Sequence, residues 1–205
     1  MKVTFPKNRL EAFTDGVLAI VITIMVLEME MPHHAEHFTD LKPVLPVFLS
    51  YALSFVYLGI YWYNHHHMLH ATREVTGGIL WANLLLLFCL SLIPFVTGWM
   101  GANHFSAAPM ALYGVVLLFS SLAYWNLQTR IVCVHGNESV LAKAVGRDVK
   151  GKLSLVLYAA AIGLAFVVPW TAGAIFVGVA LMWLVPDRRI ERALTGTETD
   201  ANEQR

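Results

Sequence analysis

Charged side chains are few in this 205-residue chain, so the places where they gather are informative. Arg9, Glu11 and Asp15 open a long apolar run, and Glu28 and Glu30 close it. Charges set into an apolar helix turn toward a partner or toward water, because lipid gives them neither. Nine histidines raise metal chemistry as a second possibility. His65, His66, His67 and His70 gather near one apolar run, and His33, His34 and His37 lie in a separate polar segment. His66 and His70 stand four apart and share a helical face, a spacing that suits zinc or copper. No cysteine and few carboxylates accompany them, so adventitious binding is favoured over a resident metal, and no metal site is assigned. Histidine as a residue type titrates near neutrality, which makes the second cluster a candidate pH sensor. Enzyme chemistry finds no support: there is no nucleophile elbow, phosphate loop or credible carboxylate pair. The chain is expected to be no enzyme and to carry no cofactor.

The elements holding these residues are apolar helices. The chain is 57% hydrophobic and 14% charged, too oily for an ordinary soluble domain. Its net charge is zero, so no basic field argues for nucleic acid. Cys89 and Cys133 lie in or beside apolar stretches without paired spacing, which argues against a disulfide framework or thiolate metal site. The first apolar run holds Glu11 and Asp15 and lacks a cleavage pattern, so it is expected to stay in the mature protein.

A bilayer core is crossed by roughly 20 apolar residues in helical form. By that measure the chain is an all-α integral membrane protein with six spans, at about 10–31, 43–63, 79–100, 108–129, 153–168 and 172–186. Pro169 and the following Trp170-Thr171-Ala172-Gly173 supply the break between the last two. One unit is expected over residues 1–190, and residues 191–205 form a polar cytoplasmic tail, expected to be disordered. With six spans, Lys42 is the one lysine or arginine of the fourteen on the outer side. Positive loops stay in the cytoplasm, so both termini are expected there. A five-span count would send Arg188, Arg189 and Arg192 outside. The linker from Arg130 to Lys152 is read as partly an interfacial helix. Gly114, Gly163 and Gly178 are read as sites of close helix packing.

The first span carries the most information. At about 100° per residue, Phe13, Gly16, Ile20, Ile24, Leu27 and Met31 share one face, Thr23 borders it, and Glu28 and Glu30 flank its outer end. An apolar stripe of this kind more often faces lipid or core than a pore, and interface acids are often merely solvated.

Arg9-x-x-x-Phe13-Thr14-Asp15-Gly16, then Ala19-Ile20-x-x-Thr23-Ile24 and Leu27-Glu28, resembles the signature of the transmembrane protein 175 family, potassium-permeable channels of lysosomes and of prokaryotic membranes. The family motif has serine where this chain has Thr14, which keeps the hydroxyl. Tyr61-Trp62-Tyr63-Asn64-His65-His66 is also similar to the prokaryotic members. The resemblance implies a homotetramer in the plasma membrane of a prokaryote, with the first helix of each subunit lining a central pore permeable to potassium and other monovalent cations. It implies no carbonyl filter, and no TVGYG-like sequence occurs here. Apolar rings at Ile20, Ile24 and Leu27 would narrow the pore, Thr23 would add a hydroxyl ring, and Glu28 and Glu30 would sit at the outer mouth. Arg9, Thr14 and Asp15 would join Trp62, Asn64, His65 or His66 in a structural polar network. Two other functions stay open: a small secondary transporter, for which Asn83 and Ser91 are the main mid-membrane polar groups, and a histidine-based metal or haem membrane protein.

Overall fold

The structure, a computed structural model, describes residues 4–30, 36–136, 139, 141–142 and 148–184. A two-residue strand β1 (Thr4–Phe5) precedes helix α1 (Lys7–Leu27), with Pro6 in extended conformation ahead of it. A 3₁₀ turn (Phe38–Val44) leads into α2 (Leu45–His70), which carries a proline in its first turn, where no helical N–H is lost. Strand β2 (Val75–Thr76) pairs antiparallel with β1 through Thr4–Thr76 and Phe5–Val75, tying the start of α1 to the α2–α3 connection. Next come α3 (Gly77–Ser91), α4 (Ile93–Ala102), α5 (Ala107–His135), α6 (Val149–Ala165) and α7 (Pro169–Leu184).

Among the described residues, four segments are long and apolar enough to cross a membrane: Lys7–Leu27, Phe38–His70, Gly77–Ala102 and Ala107–His135. The third is α3 and α4 end to end. Its ladder is interrupted at Leu92, because Pro94 has no N–H and its ring crowds the carbonyl four residues back. The last two helices, of 17 and 16 residues, are shorter.

Several boundaries differ from the sequence reading. Helix α1 begins at Lys7 and stops at Leu27, so Glu28 and Glu30 follow it rather than close it. Helix α2 runs past Tyr63 to His70, because nothing between them breaks a helix. Helix α5 reaches His135, where Gly136 at φ 83° ends it. Of the Arg130–Lys152 linker, residues 130–135 belong to α5 and 149–152 to α6. The break near Pro169 falls before it, at residues 166–168, since proline fits the first turn of a helix. Met31, His33, His34, Lys143, Arg147 and the 191–205 tail lie outside the described residues.

The core is apolar side chains with a few paired hydroxyls. Tyr113 and Phe176 are fully buried, their rings edge-on at 5.3 Å. Ser54 meets Thr97 Oγ1 at 2.6 Å and the Tyr113 hydroxyl at 3.0 Å, and Tyr57 donates to the Phe176 carbonyl at 2.6 Å. These hydroxyls are paired because lipid offers no partner, whereas Ser120 Oγ, equally buried, has none among the described residues.

Of the three glycines read as close-packing sites, Gly114 is one and Gly163 and Gly178 are not. At Gly163 and Gly178 an added Cβ would meet nothing within 4 Å, whereas at Gly114 it would come within 2.9 Å of Ile162 Cγ1. Gly101 is tighter still: a Cβ there would approach Val47 Cα to 2.6 Å and Ser50 Oγ to 2.5 Å. Gly101→Ala is expected to cost about 1–3 kcal/mol, because backbone of α2 would have to shift. A melting temperature equal to the native protein's would refute that.

Candidate functional site

Helix α1 has two unlike faces. Leu10, Thr14, Leu18, Val21 and Met25 are buried, at spacings of three and four, against α2, α3 and α4. On the other side Phe13, Ile20, Ile24 and Leu27 are exposed, Ile20 by 59% and Leu27 by 79%. Gly16 has open space where a Cβ would point. Thr23 is exposed on the same side, and its hydroxyl donates back to the carbonyls of Ala19 and Ile20, 3.0 Å from each. That leaves its lone pairs facing outward. An apolar stripe of this length, bare on one subunit, requires lipid or other copies of the chain against it.

Beyond the C-terminus of α1, Glu28 and Glu30 are exposed. The Glu28 side chain lies along α4 beside Gly98, where an added Cβ would stand 3.7 Å from Oε2.

At the opposite end α1 is fastened to its neighbours by polar contacts. The Asn83 amide, fully buried on α3, donates to Thr14 Oγ1 at 2.9 Å. Its carbonyl oxygen lies 2.7 Å from His65 Nε2, which requires the proton on that nitrogen. Thr14 is 1% exposed and His65 3%, so three helices share one dry polar chain. Trp62 Nε1 donates to Asp15 Oδ1 at 2.9 Å in a more exposed position. Lys7 reaches the His70 carbonyl at 3.3 Å and pairs with Glu11 at 3.6 Å.

The sequence-predicted set divides accordingly. Thr14, Asp15, Trp62 and His65 make contacts that fasten α1. Asn64 turns back to its own helix, donating to the Ile60 carbonyl at 2.8 Å. The His66 ring stacks between Trp62 and His70, at 6.0 and 6.5 Å. Arg9 is exposed and makes no bond to Asp15 among the described residues. Asn83 joins the network although the residue pattern placed it only among mid-membrane polar groups. An asparagine inside so apolar a segment was the available signal, because such a group needs a partner.

Trp62→Phe keeps the ring and removes the N–H to Asp15. Both groups are exposed, so a stability loss of only about 0.5–1 kcal/mol is expected, read as a small drop in melting temperature. A loss several times larger would mean that the pair is dry in the assembled protein.

Comparison with known proteins gives a consistent result. The family model for the endosomal/lysosomal potassium channel TMEM175 matches residues 9–94, which include all of α1 beyond its first turn. A potassium channel of a Chryseobacterium species is 48% identical over 188 residues, 92% of this chain and 97% of that one. A potassium channel of Streptomyces collinus is 30% identical over 175 residues, 78% of this chain and 82% of its own. The fold matches the crystal structure of a lysosomal potassium-selective channel TMEM175 homolog from Chamaesiphon minutus with a TM-score of 0.77. That match is 23% identical and covers 88% of this chain and 97% of the other. Similarity that runs nearly end to end at close to half identity leaves one conclusion: the chain belongs to the TMEM175 family.

Proposed function

We propose that this protein is a potassium-permeable cation channel of a prokaryotic plasma membrane, with four copies arranging α1 around a central pore. The observation that carries the reading is the bare stripe of Phe13, Ile20, Ile24 and Leu27 opposite a fully packed face. One helix per chain cannot enclose a pore, so a ring of copies is required, and four is the number the family resemblance implies. In this arrangement α6 and α7 complete six crossings per subunit, with both termini cytoplasmic, the orientation that keeps all lysines and arginines but Lys42 inside.

Ile20 to Leu27 spans seven residues of rise, a constriction of roughly 10 Å. Its apolar walls exclude water when narrow and admit it after a small widening, which is gating by dewetting. Such walls cannot replace an ion's hydration shell, so the ion that sheds water more cheaply passes preferentially, favouring potassium over sodium modestly. Thr23, whose proton is committed to its own helix, offers oxygen lone pairs to a passing cation. Glu28 and Glu30 concentrate cations at the outer mouth. The Thr14–Asn83–His65 chain conducts nothing; it holds α1 at a fixed rotation so that its stripe meets the axis.

Purified protein in liposomes, loaded with potassium and diluted into sodium, tests the reading. Potassium efflux that follows the gradient, from particles with the mass of four subunits, is the expected result. Folded oligomers that pass no potassium would remove the channel assignment and bring the transporter forward.

A further inference from the structure

A cavity of about 150 Å³ opens between α2, α5 and α6, and no residue of α1 lines it. An engineered cavity of about that volume accepts a benzene ring. Its α2 wall runs from Tyr57 to Asn64, seven residue steps and roughly 10 Å of helix. Of the tyrosines lining it, two have committed hydroxyls: Tyr57 donates to the Phe176 carbonyl, and Tyr61 meets Ser121 Oγ at 3.1 Å. These two offer a guest mainly ring surface, apolar and suited to another ring.

The mouth, toward the ends of α2 and α5 marked by His70 and His135, has a different chemistry. Gln128 lines it, is only 9% exposed, and its amide has no hydrogen-bond partner among the described residues. The amide is not sealed off but opens on the cavity mouth, where it can hydrogen-bond a polar guest. Asp148 and Lys152 stand at the same mouth with opposite charges. One Asp148 oxygen accepts from the Gly151 N–H at 3.1 Å to cap α6, and the other accepts no hydrogen bond among the described residues. A lone amine would meet Lys152 unfavourably and a lone carboxylate Asp148. A head that carries both charges satisfies each.

We propose that this cavity binds a small zwitterion with an apolar body, its ammonium beside Asp148, its anionic group beside Lys152 and its body among the tyrosine rings. Gln128 hydrogen-bonds the head. Two sources share this chemistry: a free amino acid with a ring side chain, and the headgroup of a zwitterionic phospholipid. The site is separate from α1, so it stands or falls independently of the pore.

The test uses the full-length protein in detergent. Phenylalanine is titrated by calorimetry against phenethylamine and 3-phenylpropionate, which carry one charge each, and retained phosphatidylethanolamine is counted by native mass spectrometry. Phenylalanine is expected to bind at least about tenfold tighter than either single-charge probe, a gap of one 1.4 kcal/mol step. Gln128→Leu and Asp148→Asn should each weaken it about tenfold or more, and the asparagine still caps α6. Circular dichroism and elution volume identify a variant that fails to fold, and Lys152→Gln then supplies the second position. Stoichiometric phosphatidylethanolamine that is lost in the same variants would support the site and assign the lipid as its source. Equal binding of the single-charge probes would overturn the proposal. So would binding indifferent to the substitutions, or folded protein that takes neither phenylalanine nor phosphatidylethanolamine.

Discussion

Ile24→Asn is expected to raise potassium flux through reconstituted protein about tenfold and to bring the potassium and sodium rates closer together. Ile24 is exposed at mid-stripe, one helical turn from Ile20 and close to one from Leu27, so four copies would contribute one complete ring. An amide ring hydrogen-bonds water that an isoleucine ring repels. A tenfold gain needs the wetting barrier to fall by only ~1.4 kcal/mol. The selectivity change has the same origin, because a wet, polar collar no longer makes ions shed their shells. Val21→Ala, on the buried face one turn away, is the control: it should lower the melting temperature and leave the ion preference alone. If Ile24→Asn leaves both flux and preference at native values, the constriction is not on this stripe.

Asn83→Leu carries the largest expected loss of stability, about 2–4 kcal/mol, because it leaves two dry groups without partners at once. A single interhelical hydrogen bond in a membrane protein averages only about 0.6 kcal/mol, since the separated helices find other partners. Here the Thr14 hydroxyl and the His65 ring are both almost wholly buried, and leucine serves neither. Thermal denaturation in detergent measures the effect. Adding Thr14→Val to Asn83→Leu should cost less than the two single changes summed, because valine removes one stranded group. Strict additivity would mean that the chain is not one unit.

The part of this architecture that depends on period and length was legible before any coordinates. Ile20, Ile24 and Leu27 line up by rotation along a helix, and the stripe appears where the spacing puts it. Helix ends were less legible. The four histidines after Tyr63 read as the end of a membrane span, yet polar residues without glycine or proline simply carry a helix beyond the lipid. Contacts between distant segments were least legible. Asn83 is recognisable alone as a group in need of a partner, but the sequence does not say that Thr14 and His65 face it. The same holds for glycines: Gly101 and Gly163 look alike until α2 is found against one and open space beside the other.

The exposed stripe on α1 also bears on how the subunits stay together. In water such a surface would force association, but acyl chains cover isoleucine and leucine as readily as a neighbouring helix does. Hiding the stripe therefore gives little reason to assemble. The proposed ring would then have to be held by shape and by its polar ends, where Asp15 and Trp62 remain reachable. Association of that kind obeys mass action within the plane of the membrane. The fraction of subunits in working channels should then fall as lipid is added at constant protein, so the protein-to-lipid ratio becomes a control on activity as real as any ligand.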